Sequence, residues 1–189
     1  MISIDPKTTA LVLIDLQHAT VGMPLVPHSG TDVARRGARL ATAFRGQKAP
    51  VVFVRAEISE FLRLPVDAPI RHPNAPPPPP IASQLVPEAD YQTGDLLVTK
   101  RSWGAFYSTE LDQQLRRRGI RTIVLGGIAT NFGVESTARA AFDRGYEVIF
   151  AEDAMTSISA EAHGFAVQNI FPRMGRVRKT EELLEALAQ

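Results

Sequence analysis

Short, nearly unbroken apolar runs alternate along this chain with segments whose apolar residues recur every three or four positions. Residues 9–14, 50–54, 95–98, 122–125 and 146–150 form the runs, with a weaker one at 175–177. A strand exposed on one face alternates polar and apolar residues, so unbroken runs predict strands covered on both faces. Between them, Val33, Gly37, Leu40, Ala41 and Phe44 fall on one helical face, as do Leu111 with Leu115, and Val134, Ala138, Ala141 and Phe142. Gly145 is placed to end the third of these helices, and Ser159 to cap a fourth with Glu161 in its first turn. Leu183, Leu184 and Leu187 mark a closing helix. Alternating strands and helices predict an α/β fold, a doubly wound, Rossmann-like, mostly parallel sheet of about six strands flanked by helices. Ligands of such sheets bind beyond the carboxyl ends of the strands, so the residues just after each run are the ones to inspect.

One region breaks the alternation. From about Glu57 to Tyr91 prolines are frequent and include the run 76–80. Proline lacks an amide hydrogen and fixes φ, so this is expected to be an extended excursion that lids a site or packs on a neighbouring subunit. A polyproline ligand for a partner domain is the alternative. No internal repeat or composition shift marks a second domain, and residues 1–189 are read as one.

Composition narrows the chemistry. The 189 residues carry a formal net charge of +1, which gives no electrostatic reason to expect nucleic acid as a partner. The run Arg116-Arg117-Arg118 reads as the solvated end of a helix, where cations complement the macrodipole. There is no cysteine, which removes disulfides, thiolate nucleophiles and thiolate metal ligands. No apolar stretch approaches the roughly 20 residues that cross a bilayer. The first six residues lack the pattern of a signal peptide, so a cytoplasmic protein is expected.

Three segments could carry chemistry. Asp15 directly follows a buried run, where a carboxylate is poorly hydrated and needs a partner or a raised pKa. A turn or cap residue is the plainer reading. Lys100 follows the third run, at the same edge by topology, where an ammonium beside a carboxylate can share a proton or stabilise negative charge. It is followed by Trp103, Phe106 and Tyr107, candidate pocket aromatics that could equally be core. The stretch from Gly126 to Val134 joins a strand to a helix, and its glycines and helix start suit an anion or oxyanion. It matches neither the dinucleotide fingerprint nor the phosphate loop, so no nucleotide cofactor is expected.

Together these segments resemble the isochorismatase-like hydrolase superfamily: an aspartate after strand one (Asp15), a lysine after strand three (Lys100) and a Gly-x-x-Thr turn, here Gly127 to Thr130. Phe106-Tyr107, Arg118-Gly119-Ile120 and the stretch from Asp143 to Ala154 are similar to the family too. The chain looks most like a cysteine-free bacterial branch sharing 103–107 and 133–139. Most of the family are amidases with a cysteine nucleophile, and its position aligns with Gly133, which closes the thiol route. Nicotinamidases of the family carry an Asp-x-His metal pattern after strand two. Here residues 55–60 contain no histidine, and His18, His28, His72 and His163 lack ligand spacing, so no metal is expected.

Glycine at this place resembles true isochorismatases, which cleave a vinyl ether and release pyruvate without a covalent intermediate. The resemblance implies Asp15 as proton donor, Lys100 binding a substrate carboxylate or steadying charge, and Gly133 as part of the catalytic set. Lys100 favours an ionised Asp15 while burial favours the neutral acid, and the sequence leaves that balance open. It further implies a cis peptide at Ile128–Ala129, with the amides of Ala129 and Gly133 facing the ligand. Gln17, Arg55, Trp103, Phe106, Ala129 and Thr130 are the expected substrate-binding residues, and Gln17 and Arg55 have a structural alternative. A homo-oligomer acting on a small carboxylated molecule is implied. The competing readings are a ligand-binding or vestigial protein that lost turnover with the cysteine, and an assembly protein using the proline-rich excursion.

Overall fold

The computed structural model describes residues 2–72 and 74–188. Six parallel strands form one open sheet in the order β3-β2-β1-β4-β5-β6. They are β1 (Thr9–Ile14), β2 (Val51–Ala56), β3 (Leu96–Lys100), β4 (Thr122–Ile128), β5 (Glu147–Thr156) and β6 (Gly175–Arg178). The helices are α1 (His18–Val21), α2 (Gly30–Gly46), α3 (Leu111–Arg116), α4 (Glu135–Asp143), α5 (Ala160–Phe165) and α6 (Thr180–Leu187). The chain winds outward from β1 to β3, then returns to β4 and winds the other way. The crevice at the β1/β4 switch is where ligands of doubly wound sheets bind.

Every residue of β1 is buried, which is why its run is unbroken. Its side chains divide by period two: Leu11 and Leu13 pack under α2 and α6, while Ala10, Val12 and Ile14 pack under α3 and α4. The same alternation sends Phe53 to the α2 layer and Val54 to the α4 layer. Ser159 caps α5, its Oγ accepting the Ala162 N–H at 3.1 Å. Gly145 ends α4 at φ +78°. β5 runs on to Thr156, beyond the apolar run that announced it. A register shift against β4 between Leu125 and Gly127 carries Glu152 and Asp153 through the strand.

The proline-rich excursion contains three short 3₁₀ turns, Ile58–Glu60, Pro80–Ser83 and Pro87–Ala89. It is fastened at both ends. The Leu62 N–H donates to Arg101 O at 2.7 Å, and the Val86 N–H to Leu16 O at 3.0 Å. Between them Leu64, Val66 and Ile70 lie exposed. Among the described residues no helix is long and apolar enough to cross a membrane.

Candidate active site at the β1/β4 switch

Asp15 is the first residue beyond β1, and a left-handed φ of +52° turns the chain out of the strand there. Aspartate tolerates this region better than most side chains. Its N–H donates to Val54 O at 2.7 Å, and its carbonyl accepts the Thr20 hydroxyl. Lys100 ends β3 in register with Ala56, on the same sheet face as Val98. The backbone therefore presents both side chains to one point.

There Lys100 Nζ lies 2.8 Å from Asp15 Oδ2. Lys100 is 1% exposed and Asp15 6%. The ammonium also donates to the carbonyls of Ser102 at 3.2 Å and Trp103 at 3.0 Å. An ammonium has three hydrogens, so these acceptors use all of them. Asp15 Oδ1, by contrast, is buried with no hydrogen-bond partner among the described residues. Burial pushes the Asp15 carboxyl above the usual carboxylate range, and the opposing pull of Lys100 is the smaller influence. The pair is thus asymmetric: one oxygen is held, the other is free.

Gly133 closes over the pair. A Cβ built on it would stand 3.2 Å from Ile14 Cγ2, 3.3 Å from Asp15 Oδ2 and 3.5 Å from Lys100 Nζ. The position where the resemblance places a nucleophile is therefore against the acid and the lysine, and here it carries no side chain. The approach depends on Gly127 too, whose φ of +120° and missing Cβ let β4 press on the Ile14 backbone. The Ile128–Ala129 peptide is cis, and a π-helical turn, Thr130–Val134, leads into α4.

The other expected site residues divide. Trp103 is 47% exposed and sets its ring edge-to-face on Phe132 at 5.0 Å, beside the carbonyl that Lys100 holds. Ala129 is half-buried, and its carbonyl accepts the Phe132 and Val134 amides. Thr130 is fully buried, with its hydroxyl 2.8 Å from His163 Nδ1.

Three of the expected substrate-binding residues have their side chains engaged away from the pair. Gln17 is completely buried, donates from Nε2 to the carbonyls of Ala56 and Ala82 at 3.0 Å each, and accepts the Ala56 N–H at 2.7 Å. It is a structural tie between β1, β2 and the excursion, with no amide hydrogen left for a ligand. Phe106 is core, packed on Tyr146 at 5.8 Å with the Arg144 guanidinium over its ring. Arg55 shares the face of Phe53, two residues before it, and so stands on the opposite sheet face from Lys100.

Residues the sequence reading passed over also shape the site. Phe61 of the excursion lies 5.6 Å from Lys100 Nζ. The far side of the 130–134 turn is pinned by His163 on Thr130 and by the Ser157 hydroxyl on Asn131. Burial holds the His163 pKa below its usual value, with His28 beside it adding to the shift, which favours the neutral ring. Among the described residues no three His, Asp or Glu side chains converge as metal ligands. After β2, Glu57 accepts from the Ser59 and Ser83 hydroxyls and Glu60 pairs with Arg101.

A buried acid–lysine pair at the switch point of a doubly wound parallel sheet places this chain among α/β proteins with an ionisable pair in the ligand crevice. The sequence matches the profile of the isochorismatase domain over residues 9–182, and the chain belongs to the isochorismatase family of hydrolases. An isochorismatase family protein of Escherichia coli O157:H7, YecD, is 44% identical over 99% of this chain and 100% of its own. Its counterpart YwoC of Bacillus subtilis (strain 168) is 46% identical over 97% of this chain and 96% of its own. A solved isochorismatase family protein from Burkholderia thailandensis superposes with a TM-score of 0.91 at 44% identity, covering 99% of this chain and 98% of that one.

Proposed function

We propose that this protein is a metal-free hydrolase of isochorismatase type that cleaves a vinyl ether on a small carboxylated substrate, with Asp15 as the acid. The observation that carries this reading is the free, buried Asp15 Oδ1 beside a glycine where a thiol nucleophile would otherwise stand. A carboxyl held neutral by burial can give up a proton in the transition state. Asp15 Oδ1 protonates the terminal vinyl carbon, leaving an oxocarbenium at the ether carbon. Water adds there and returns a proton to the Asp15 carboxylate, and as the hemiketal collapses to pyruvate its hydroxyl proton passes to the ether oxygen, which leaves as the alcohol. No bond to the protein forms.

Lys100 takes the charge-steadying role in this scheme. Its three hydrogens are committed, so it holds Oδ2 and stabilises the Asp15 carboxylate left after proton transfer. Trp103 and Phe132 supply an aromatic wall, and the turn from Ala129 to Gly133 supplies backbone. Isochorismate turned over in D₂O tests the route. The expected product is pyruvate with one deuterium in its methyl group and an alcohol that keeps the substrate's ether oxygen in H₂¹⁸O. Label in the alcohol places water attack on the ring carbon and contradicts the scheme, and an absence of pyruvate rejects the substrate.

The exposed Leu64, Val66 and Ile70 of the excursion support a homo-oligomer in which this segment packs on a neighbouring subunit. The residues form one domain in this reading, working in the cytoplasm. A sedimentation mass equal to one chain would contradict the assembly.

A further inference from the structure

A groove of about 370 Å³ opens on the sheet face away from the Asp15–Lys100 pair, lined in part by Arg55, Leu85, Pro87, Asp90, Tyr91 and Leu97. Arg55 is half-buried in its wall. Its Nε donates to Thr99 Oγ1 at 3.1 Å and its Nη1 reaches Ser83 O at 3.4 Å, both neutral acceptors. Among the described residues no carboxylate pairs with Arg55 and Nη2 has no hydrogen-bond partner. The neighbouring acids are taken: Asp90 and Asp95 both pair with Arg45, at 3.0 and 2.6 Å. The groove therefore contains a cation with no carboxylate in hydrogen-bonding reach: Asp90 in its lining is held by Arg45, and Glu57 acts on Arg55 only through space.

The rest of the lining says what anion fits. Leu85, Pro87 and Leu97 make an apolar floor, and the Tyr91 ring, set edge-on against Phe53 at 5.6 Å, makes a flat wall. The Tyr91 hydroxyl has no hydrogen-bond partner among the described residues. A planar carboxylate matches the guanidinium fork, and a ring attached to it matches the wall. The Asp90 carboxylate on the same groove repels a second negative charge, which disfavours a dianion. We infer that this groove is a second, non-catalytic ligand site for small aromatic monocarboxylates, with the carboxylate on Arg55 and the ring against Tyr91 and Leu97. It shares no residue with the pair at the β1/β4 switch.

Titration of the ¹⁵N-labelled full chain with benzoate, followed by amide shifts, tests this. Saturable shifts at residues 84–86, 88–91 and 97 are expected, with a Kd of about 1 mM for so small a probe. Arg55→Gln weakens binding about tenfold or more, since a charge-assisted contact is lost. Tyr91→Ala, at an exposed position, weakens it less and serves as a second variant should Arg55→Gln lose its folded spectrum. Benzamide, the neutral isostere, and phenyl phosphate, the dianion, both bind more weakly than benzoate. Asp15→Asn binds benzoate as wild type does, which separates this site from the proposed reaction. An absence of saturation, equal binding of benzamide, tighter binding of phenyl phosphate, or shifts centred on residues 129–134 and lost in Asp15→Asn would each overturn the inference.

Discussion

Asp15→Asn lowers turnover by about 10²- to 10⁴-fold, the range a positioned general acid supplies. The substitution keeps shape and burial, and the Asn carbonyl still accepts from Lys100, so the site stays assembled around an amide that cannot donate the required proton. The loss falls on kcat, because the proton moves only in the transition state. The residual turnover of the variant is expected to be flat across the pH range, whereas the wild type loses activity as Asp15 ionises, so the gap narrows as pH rises. Because burial raises that carboxyl, the decline sets in above the range of an ordinary aspartate. Steady-state kinetics of both proteins against pH check this. An Asp15→Asn enzyme with wild-type kcat would remove Asp15 from the chemistry.

The second large effect is on stability. Lys100→Met removes the ammonium while filling much of its volume, leaving Asp15 and the carbonyls of Ser102 and Trp103 without their donor. Breaking a buried ion pair by removing one partner costs about 3–5 kcal/mol when the other stays charged. Asp15 can escape by binding a proton, so the cost depends on pH. The folded-state pKa of Asp15 lies above its unfolded value near 3.9, so between the two values the folded state holds more protons. Stability therefore falls as pH rises through that window, by up to about 1.4 kcal/mol per pH unit for one proton. Removing Lys100 takes away the influence that lowers the Asp15 pKa and extends the window upward. The variant is expected to be weaker than wild type at every pH by the lost carbonyl bonds, least so near pH 4 and increasingly so toward pH 8, by urea unfolding. The double variant Asp15→Asn/Lys100→Met loses that slope. A cost for Lys100→Met that does not vary with pH would contradict the balance drawn for the pair.

The inner strands were legible because burial on both faces leaves few polar residues to interrupt a run, whereas the edge strand β3 exposes Leu97, and α2 was legible because its buried stripe is regular. Asp15 and Lys100 were legible for a topological reason, as residues at the carboxyl ends of strands. Arg55 occupies a similar end, yet only the register, Arg55 opposite Thr99 and Ala56 opposite Lys100, shows which face it takes. A shift of one residue moves a side chain across the sheet, and sequence does not print the register. The choice between the binding and structural readings of Gln17 was not legible because its partners, Ala56 and Ala82, stand 39 and 65 residues away. The same holds for His163, which meets Thr130 across 33 residues. The prolines announced an extended excursion, but nothing in them indicated that Phe61 would lie over Lys100.

The claim at the centre is that Asp15 carries a proton at its free oxygen where an ordinary aspartate would not. Infrared difference spectroscopy between wild type and Asp15→Asn, scanned upward in pH from the range where solvent-exposed aspartates have ionised, reads this directly. The account predicts the carbonyl stretch of one protonated carboxyl in the wild type that is missing from the variant. A difference spectrum showing only an ionised carboxylate throughout would contradict it.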